Sequence, residues 1–227
     1  MNIEALHKLF LKHPTVCTDT RKITTGCIFF ALKGDNFNGN TFAQDALEKG
    51  AKYVIVDEEE VALDDNYILV DDVLKTLQEL ATYHRKYLGL KIIALTGSNG
   101  KTTTKELIHA VISKKYKTTA TIGNLNNHIG VPLTLLSMNN TTESGIVEMG
   151  ANHLKEIEFL CNIAQPDYGY ITNFGKAHLE GFGGIKGVIK GKSEMYTFLK
   201  ENKKIAFVNP NDSIQIEKTK EISSIFL

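Results

Sequence analysis

Apolar residues recur at helical spacing and in short strand-like runs through the first part of the chain. Ile3, Leu6, Leu9 and Phe10 share one side of a helix and predict an amphipathic segment. Later short apolar runs, bounded by glycine or aspartate, are typical of strands. The predicted elements are this helix, a strand at 27–32, a polar turn at 34–40, a helix at 41–49, strands at 53–56 and 68–70, and a helix from 71 or 72 to about 87.

Polar residues and glycines mark where these helices begin and end. Thr41 can cap the second helix and Gly50 stops it, and Gly89 ends the third. We therefore place a domain boundary after Gly89, with one domain at 1–89 and a second at 90–227.

The second part of the chain alternates between apolar strands and helical patterns. This alternation predicts an α/β fold with a mainly parallel sheet covered on both faces, whose ligands gather at the carboxyl ends of the strands. The helix after the first strand carries Leu107, Ile108, Val111 and Ile112 on one face. Residues 222–227 read as the beginning of another strand, so we expect an incomplete sheet and a chain that is part of a longer protein. Predicted strands lie at 92–95, 117–120, 145–149, 168–172 and 205–208, and predicted helices at 102–114, 132–138, 153–163 and 186–200.

Composition narrows the class of protein. The 227 residues are 42% hydrophobic and 23% charged, which favours a folded chain with a sizeable core. Lys+Arg and Asp+Glu both number 26, and this balance gives no support for a nucleic-acid surface. No apolar run reaches the length of about 18 residues that a membrane span needs, and no signal peptide is visible. The three cysteines show no spacing typical of a disulfide framework or a zinc site; they are Cys17, Cys27 and Cys161. We expect them to be small buried side chains in a cytoplasmic protein.

The most informative stretch runs from the apolar strand at 92–95 through a glycine turn into a helix. Gly97 and Gly100 let the backbone turn with its N–H groups inward, and the helix dipole adds positive potential. Lys101 can reach the outer phosphates of a nucleotide triphosphate, and the Thr102 hydroxyl can bind Mg²⁺. The pattern is shorter than the standard P-loop, and a plain glycine turn before a helix is the alternative. The candidate cofactor-binding residues are Gly97, Ser98, Asn99, Gly100, Lys101, Thr102 and Thr103.

Three further side chains have chemistry that their local sequence does not decide. Glu148 ends an apolar strand and is either a Mg²⁺ ligand or a solvated strand-end glutamate. His178 lies in a glycine-rich loop, where a structural hydrogen bond is the more common role. Lys192 lies in a predicted helix, and its local sequence favours a plain surface lysine.

An amide-rich loop follows the strand at 117–120. Amides both donate and accept hydrogen bonds, which suits the carboxylate and peptide groups of a substrate, although an ordinary turn is the alternative. The candidate substrate-binding residues in this loop are Asn124, Asn126 and Asn127.

Several of these stretches together resemble the Mur ligases of peptidoglycan synthesis. Three of them, in this order and spacing, are specific, whereas the phosphate loop is shared with a wider superfamily. The block around Asp19-Thr20-Arg21 and 26–34 is similar to the UDP-binding domain of these ligases. The stretches are 96–103, 123–136, 148–153 and Ala177-His178-Leu179-Glu180.

The resemblance implies an ATP-dependent amide ligase that adds D-alanyl-D-alanine to UDP-MurNAc-tripeptide through an acyl phosphate. It implies that Thr102 and Glu148 hold one Mg²⁺ ion, and that His178 and a carbamylated Lys192 hold a second. Lys101 would then serve the chemistry together with these metal ligands. It also implies a nucleotide-sugar-binding N-terminal domain, a P-loop-type ATPase sheet, and no nucleic-acid or membrane partner, and we expect a monomer. The first domain's candidate substrate-binding residues are Thr20, Arg21, Lys33 and Asn38.

The chain also departs from the family pattern. Asn38-Gly39-Asn40 stands where members usually carry Asp-Gly-His, and Ser193 replaces a usual glycine. The family's C-terminal domain is absent from the sequence, so we expect little ligase activity from this chain alone. The alternatives are a folylpolyglutamate or cyanophycin-type ligase, and a non-catalytic nucleotide-binding module.

Overall fold

The computed structural model describes residues 1–176 and 178–227, and the chain divides into two compact units. The units are Met1–Tyr87 and Leu88–Leu227, so the division falls two residues before the boundary expected after Gly89. Ala177, the first residue of one family-like stretch, lies outside the described residues.

The first unit is built on a four-stranded sheet whose strands all run parallel. A separate two-stranded antiparallel hairpin follows the second strand of this sheet in sequence and precedes the second α-helix. One face of the sheet packs on a core that includes Cys17, Cys27 and Phe29, and all three cysteines of the chain are buried free thiols, as expected. The elements are α1 (Ile3–Lys12), β1 (Val16–Cys17), β2 (Ile28–Phe30), β3 (Lys33–Gly34), β4 (Phe37–Asn38), α2 (Ala43–Glu48), β5 (Tyr53–Val56), β6 (Tyr67–Leu69) and α3 (Val73–Leu88), with the sheet order β1-β2-β5-β6.

The start of the second helix differs from the sequence prediction. Thr41 does not cap α2; its hydroxyl donates to the carbonyl of Asn38 at 2.8 Å, inside a 3₁₀ turn at Gly39–Phe42. The cause is Asn38, whose side chain accepts from the N–H of Asn40 and starts the turn early. At α3 the expected cap is present, since the Asp72 carboxylate accepts from the Lys75 N–H at 2.8 Å.

A buried histidine pair joins the first and last helices of this unit. His7 Nε2 lies 3.0 Å from His84 Nδ1, and both side chains are almost fully buried. The rings of Tyr83 and Tyr87 pack against His7. Burial, and then the nearby His84, lower the pKa of His7 below its ordinary value, because a second charge in this apolar setting is unfavourable.

We expect the first unit to lose stability as the pH falls. A histidine whose folded pKa is depressed contributes fully at pH values above its unfolded pKa of about 6.5 and progressively less as the pH drops below it. Urea unfolding between pH 7.5 and 5.5, followed through amide resonances of the first unit's sheet, measures the loss. His7→Gln should flatten the slope in this window, and an unchanged slope would contradict the assignment to the pair.

The second unit is a six-stranded sheet with every strand parallel. The expected strand near the end of the chain is present and pairs at one edge. Since all strands run the same way, their carboxyl ends share one edge of the sheet. The elements are β7 (Lys91–Thr96), α4 (Lys101–Ile112), β8 (Thr118–Ala120), α5 (Gly130–Leu136), β9 (Ser144–Glu148), α6 (Glu156–Ala164), β10 (Tyr168–Ile171), α7 (Leu179–Phe182), α8 (Ile185–Glu201), β11 (Ile205–Val208), α9 (Ser213–Lys218) and β12 (Ser223–Phe226), with the sheet order β12-β11-β10-β7-β9-β8.

The inner face of α4 is not the one that the apolar residues predict. Leu107 and Val111 are exposed, at 63% and 72%. The buried stripe instead holds Lys105, with Ile108 and Ile112 half-buried beside it at spacings of three and four residues. Among the residues that the structure describes, no helix combines the length and hydropathy of a bilayer span.

Candidate functional site

The glycine turn between β7 and α4 is tightly closed. Gly97 and Gly100 have φ angles of +148° and +74°, and a glycine adopts both without strain. A Cβ atom at Gly97 would lie 1.9 Å from the hydroxyl oxygen of Thr172, so a larger residue would collide with the neighbouring loop. The strand, turn and helix therefore have the geometry of a phosphate loop, with α4 beginning at Lys101.

The loop after β10 braces this turn, which the sequence did not indicate. The Ser98 N–H donates to the carbonyl of Asn173 at 3.1 Å, and the Ser98 hydroxyl donates to the carbonyl of Gly175 at 2.7 Å. The Thr172 hydroxyl and the Asn173 amide both donate to the Asn99 carbonyl, at 2.7 and 3.0 Å. These bonds fix the backbone of the turn at Ser98 and Asn99.

A cavity of about 350 Å³ opens over the turn. Lys101 lies at its rim, and its ammonium donates to the Gly97 carbonyl at 2.9 Å. Gly97 itself is buried and shapes the turn from beneath. The lining residues are Ser98, Asn99, Gly100, Lys101, Thr102, Thr103, Asn124, Asn126 and Glu148.

Glu148 is the acidic group of this cavity, and it is only 1% exposed. One carboxylate oxygen accepts from the Asn126 amide at 2.9 Å and from the Thr102 hydroxyl at 3.4 Å. The other oxygen is buried and has no hydrogen-bond partner among the described residues. Because Glu148 is buried, the solvated strand-end alternative is wrong. A buried carboxylate oxygen without a hydrogen-bond partner is also costly in free energy. An anionic oxygen beside a threonine hydroxyl and a phosphate loop fits a Mg²⁺ ion.

A second cavity, of about 710 Å³, adjoins the first through Lys101, Asn124 and Asn126. Its walls bring the predicted amide residues together with His178, which is exposed and has a φ angle of +53°. The cavity is lined by Lys101, Asn124, Asn126, Asn127, His128, Gly150, Ala151, Asn152, Leu154, Lys155, Glu156, Phe159, Leu160 and His178.

Two of the predicted amides are already engaged in the protein. The Asn127 side-chain oxygen accepts from the N–H groups of Ile129 and Gly130, at 3.1 and 2.9 Å, in the turn that leads into α5. The Asn126 amide donates to Glu148, as described above. These two therefore shape the loop as well as lining the cavity.

Lys192 is buried rather than at the surface, contrary to what its local sequence favoured. It is 1% exposed in α8, and its ammonium lies 3.4 Å from the carbonyl of Ala151 and 5.3 Å from the centre of the Phe182 ring. Burial, and then the charge of Lys101, lower the pKa of Lys192 to about 8. About a tenth of this amine is therefore neutral at pH 7, far more than for a lysine with the ordinary pKa of about 10.4.

The candidate residues of the first unit follow the carboxyl ends of its parallel strands. Lys33 forms ion pairs with Asp57 and Glu58, both at 2.9 Å, and the Asn38 amide donates to Glu58 at 2.8 Å. Thr20 and Arg21 lie in a 3₁₀ turn after β1, where the Arg21 guanidinium binds both oxygens of the Asp19 carboxylate. No metal-binding group of three or more histidine, cysteine or acidic side chains occurs in the described parts of either unit.

Family comparison agrees with this geometry. Residues 95–226 match the model described as the Mur ligase middle domain, and residues 14–85 match that of the Mur ligase family, catalytic domain. The chain belongs to the Mur ligase family. This confirms the resemblance seen in the sequence.

The sequence is similar to those of individual relatives over a little less than half of the relatives' length. The chain is 42% identical to a UDP-N-acetylmuramoyl-tripeptide–D-alanyl-D-alanine ligase of Bacillus subtilis, over 88% of this chain and 44% of the relative. The corresponding values for the Escherichia coli protein of the same name are 41%, 87% and 43%.

The fold is also similar to solved structures, again over about half of their length. MurF from Acinetobacter baumannii superposes with a TM-score of 0.84 at 36% identity, covering 93% of this chain and 47% of that one. MurF from Thermotoga maritima in complex with ADP has a TM-score of 0.84 at 32% identity, with coverages of 95% and 50%. The chain thus spans about half the length of the proteins it matches.

Proposed function

We propose that this chain supplies the ATP site and the nucleotide-sugar site of an ATP-dependent ligase that adds D-alanyl-D-alanine to UDP-MurNAc-tripeptide. The observation that carries the ATP site is the unpartnered Glu148 oxygen beside Thr102, under a closed phosphate loop. The names of the bacterial relatives support the choice of substrates. The same substrates and ATP favour a cytoplasmic location.

The proposed reaction has two transfers. An oxygen of the tripeptide's terminal carboxylate attacks the γ-phosphorus of ATP, the bond to ADP breaks, and an acyl phosphate forms. The amine of D-alanyl-D-alanine then attacks the acyl carbon, phosphate leaves with the bonding electrons, and the nitrogen loses a proton. The difficulty of the first transfer is repulsion between the carboxylate and the polyphosphate, which Lys101 and the N–H groups at the start of α4 reduce.

Thr102 and Glu148 would hold one Mg²⁺ ion, which supplies further neutralisation of the phosphate charge when bound. For the second ion we propose His178 and a carbamylated Lys192. The lowered pKa of Lys192 favours this modification, since only the neutral amine attacks CO₂, losing a proton to give a carbamate. Modification would also turn a buried cation into a buried oxygen ligand.

In the first unit we propose that Thr20, Arg21, Lys33 and Asn38 bind the nucleotide sugar. The paired carboxylates of Asp57 and Glu58 hold Lys33 in place at the sheet edge. The Lys33 side chain is 43% exposed, so its attraction to a diphosphate is screened by ions, and we expect binding to weaken with added salt.

Calorimetry on this chain tests the substrate assignment. We expect UDP-MurNAc-tripeptide to bind more tightly than UDP-MurNAc in the presence of Mg²⁺ and ADP, because the tripeptide adds peptide and carboxylate groups that asparagine amides can bind. Asn124→Ala should remove the preference while leaving UDP-MurNAc binding in place. Equal binding of the two nucleotide sugars by the unaltered chain would contradict the proposal.

A further inference from the structure

A fully buried lysine lies one helical turn beyond the phosphate loop. Lys105 has no exposed surface, although lysine is rarely buried without partners. Its ammonium donates to the Thr121 carbonyl at 2.7 Å, pairs with Glu106 at 2.9 Å, and makes a longer contact of 3.5 Å with the Gly123 carbonyl. Three acceptors match the three N–H groups of an ammonium.

Two of these acceptors lie in the loop that leads from β8 into the amide cluster. Lys105 follows Lys101 by four residues, so both lie on the same side of α4. The ammonium therefore ties the loop at 121–126 to the helix that carries Lys101 and Thr102.

Thr121 connects this lysine to Glu148. The Thr121 hydroxyl oxygen accepts from the Glu148 N–H at 3.0 Å, and the Thr121 N–H donates to the carbonyl of Ile146 at 2.9 Å. Thr121 therefore accepts a hydrogen bond from Lys105 at its carbonyl and one from the Glu148 N–H at its hydroxyl.

The far end of the loop also closes on Glu148. The Asn126 amide donates to the carboxylate, and the Asn126 carbonyl accepts from the Gly150 N–H at 2.8 Å. The fit is close, because a Cβ atom at Gly150 would lie 2.7 Å from the Asn126 side-chain oxygen. A small displacement of the loop would therefore disturb the two bonds that it makes to Glu148, from the Asn126 amide to the carboxylate and from the Glu148 N–H to the Thr121 hydroxyl.

From these contacts we propose that Lys105 is a positioning residue, which fixes the loop at 121–126 and thereby sets the Glu148 carboxylate against Thr102. The metal role of Glu148 rests on the proposed function, whereas the positioning itself does not. An ion pair with Glu106 alone would not explain the burial, since Glu106 is 61% exposed and such pairs contribute little.

Hydrogen exchange tests the positioning without any ligand. In Lys105→Met we expect the Glu148 and Gly150 amides to exchange about tenfold faster, because their acceptors sit on the released loop. The amides of β7 should keep their protection, and Lys114→Met, which alters an exposed lysine just beyond α4, should change nothing. Uniform acceleration across the sheet, or none at Glu148, would overturn the proposal. If Lys105→Met does not fold, Lys105→Gln is judged by the same criteria.

Nucleotide binding adds a readout that simple destabilisation would not move. The ratio of ADP affinity with Mg²⁺ to that with EDTA should fall about tenfold in Lys105→Met, while the affinity in EDTA changes less than about twofold. An unchanged ratio in the folded variant, at a temperature well below its unfolding, would count against positioning of Glu148. If the unaltered chain shows no Mg²⁺ effect, the proposed function fails, and the exchange experiment alone decides the role of Lys105.

Discussion

Replacing Lys101 with alanine is expected to weaken the binding of Mg²⁺-ADP by roughly a hundredfold, because a charge-assisted hydrogen bond to phosphate is lost from a partly desolvated site. The Lys101 ammonium rests on the Gly97 carbonyl, within the turn itself, so it can reach a phosphate by a side-chain rotation. No backbone rearrangement is needed. The loss should therefore appear in affinity rather than in the stability of the fold.

Isothermal calorimetry at fixed salt measures the change. Lys114→Ala is the matched control, since it removes one positive charge from an exposed position beyond the same helix. Equal losses in the two variants would mean that net charge, and not a contact at the loop, governs binding. Removing Lys101 should also raise the pKa of Lys192, because the Lys101 charge contributes to its depression.

The phosphate loop could be predicted because its information is local. The strand, the two glycines, the lysine and the hydroxyl follow one another within residues 92–103, and each residue type has its own steric or electrostatic reason. The alternation of strands and helices likewise fixed a parallel sheet and, with it, the edge at which Glu148 and the amide loop meet.

Burial was harder to predict, because it depends on which face of a helix meets the sheet. The local sequence around Lys192 favoured the surface, and only the family resemblance indicated otherwise. In the structure α8 packs that side inward, against α6 and the sheet. On α4 the polarity pattern is also misleading, since the apolar Leu107 is exposed and the charged Lys105 is buried. Apolar periodicity gives the wrong face there, because the carbonyls of a distant loop solvate the lysine.

The remaining differences between prediction and structure come from hydrogen-bond partners that the sequence pattern did not indicate. Thr41 loses its expected capping role to Asn38, three residues earlier, which begins a 3₁₀ turn. The bracing of Ser98 by the loop after β10 joins residues that are 77 apart, and spacing cannot report such a contact. Sequence patterns thus indicated the groups of the site, whereas the structure identified what holds them.

Replacing Glu148 with glutamine is expected to abolish the Mg²⁺ dependence of nucleotide binding. Glutamine keeps the size of the side chain and an oxygen that can accept from Asn126, but it lacks the negative charge that a hard cation requires. ADP affinity measured in EDTA should stay within about threefold, or rise slightly, because a carboxylate no longer opposes the phosphates at this distance.

The same variant should not be less stable than the unaltered chain when metal is absent. In the unaltered chain the buried Glu148 oxygen without a partner costs free energy when no metal is bound. Glutamine removes this charge, and that gain offsets the cost of the hydrogen bonds that the new amide cannot make. Glu217→Gln, on the exposed side of α9, serves as the control for charge alone. Retention of a Mg²⁺ effect in Glu148→Gln would place the metal elsewhere. A large drop in metal-free stability would instead make this carboxylate a structural group. The two measurements together therefore separate a binding role from a packing role at the one position on which the proposed ATP site depends.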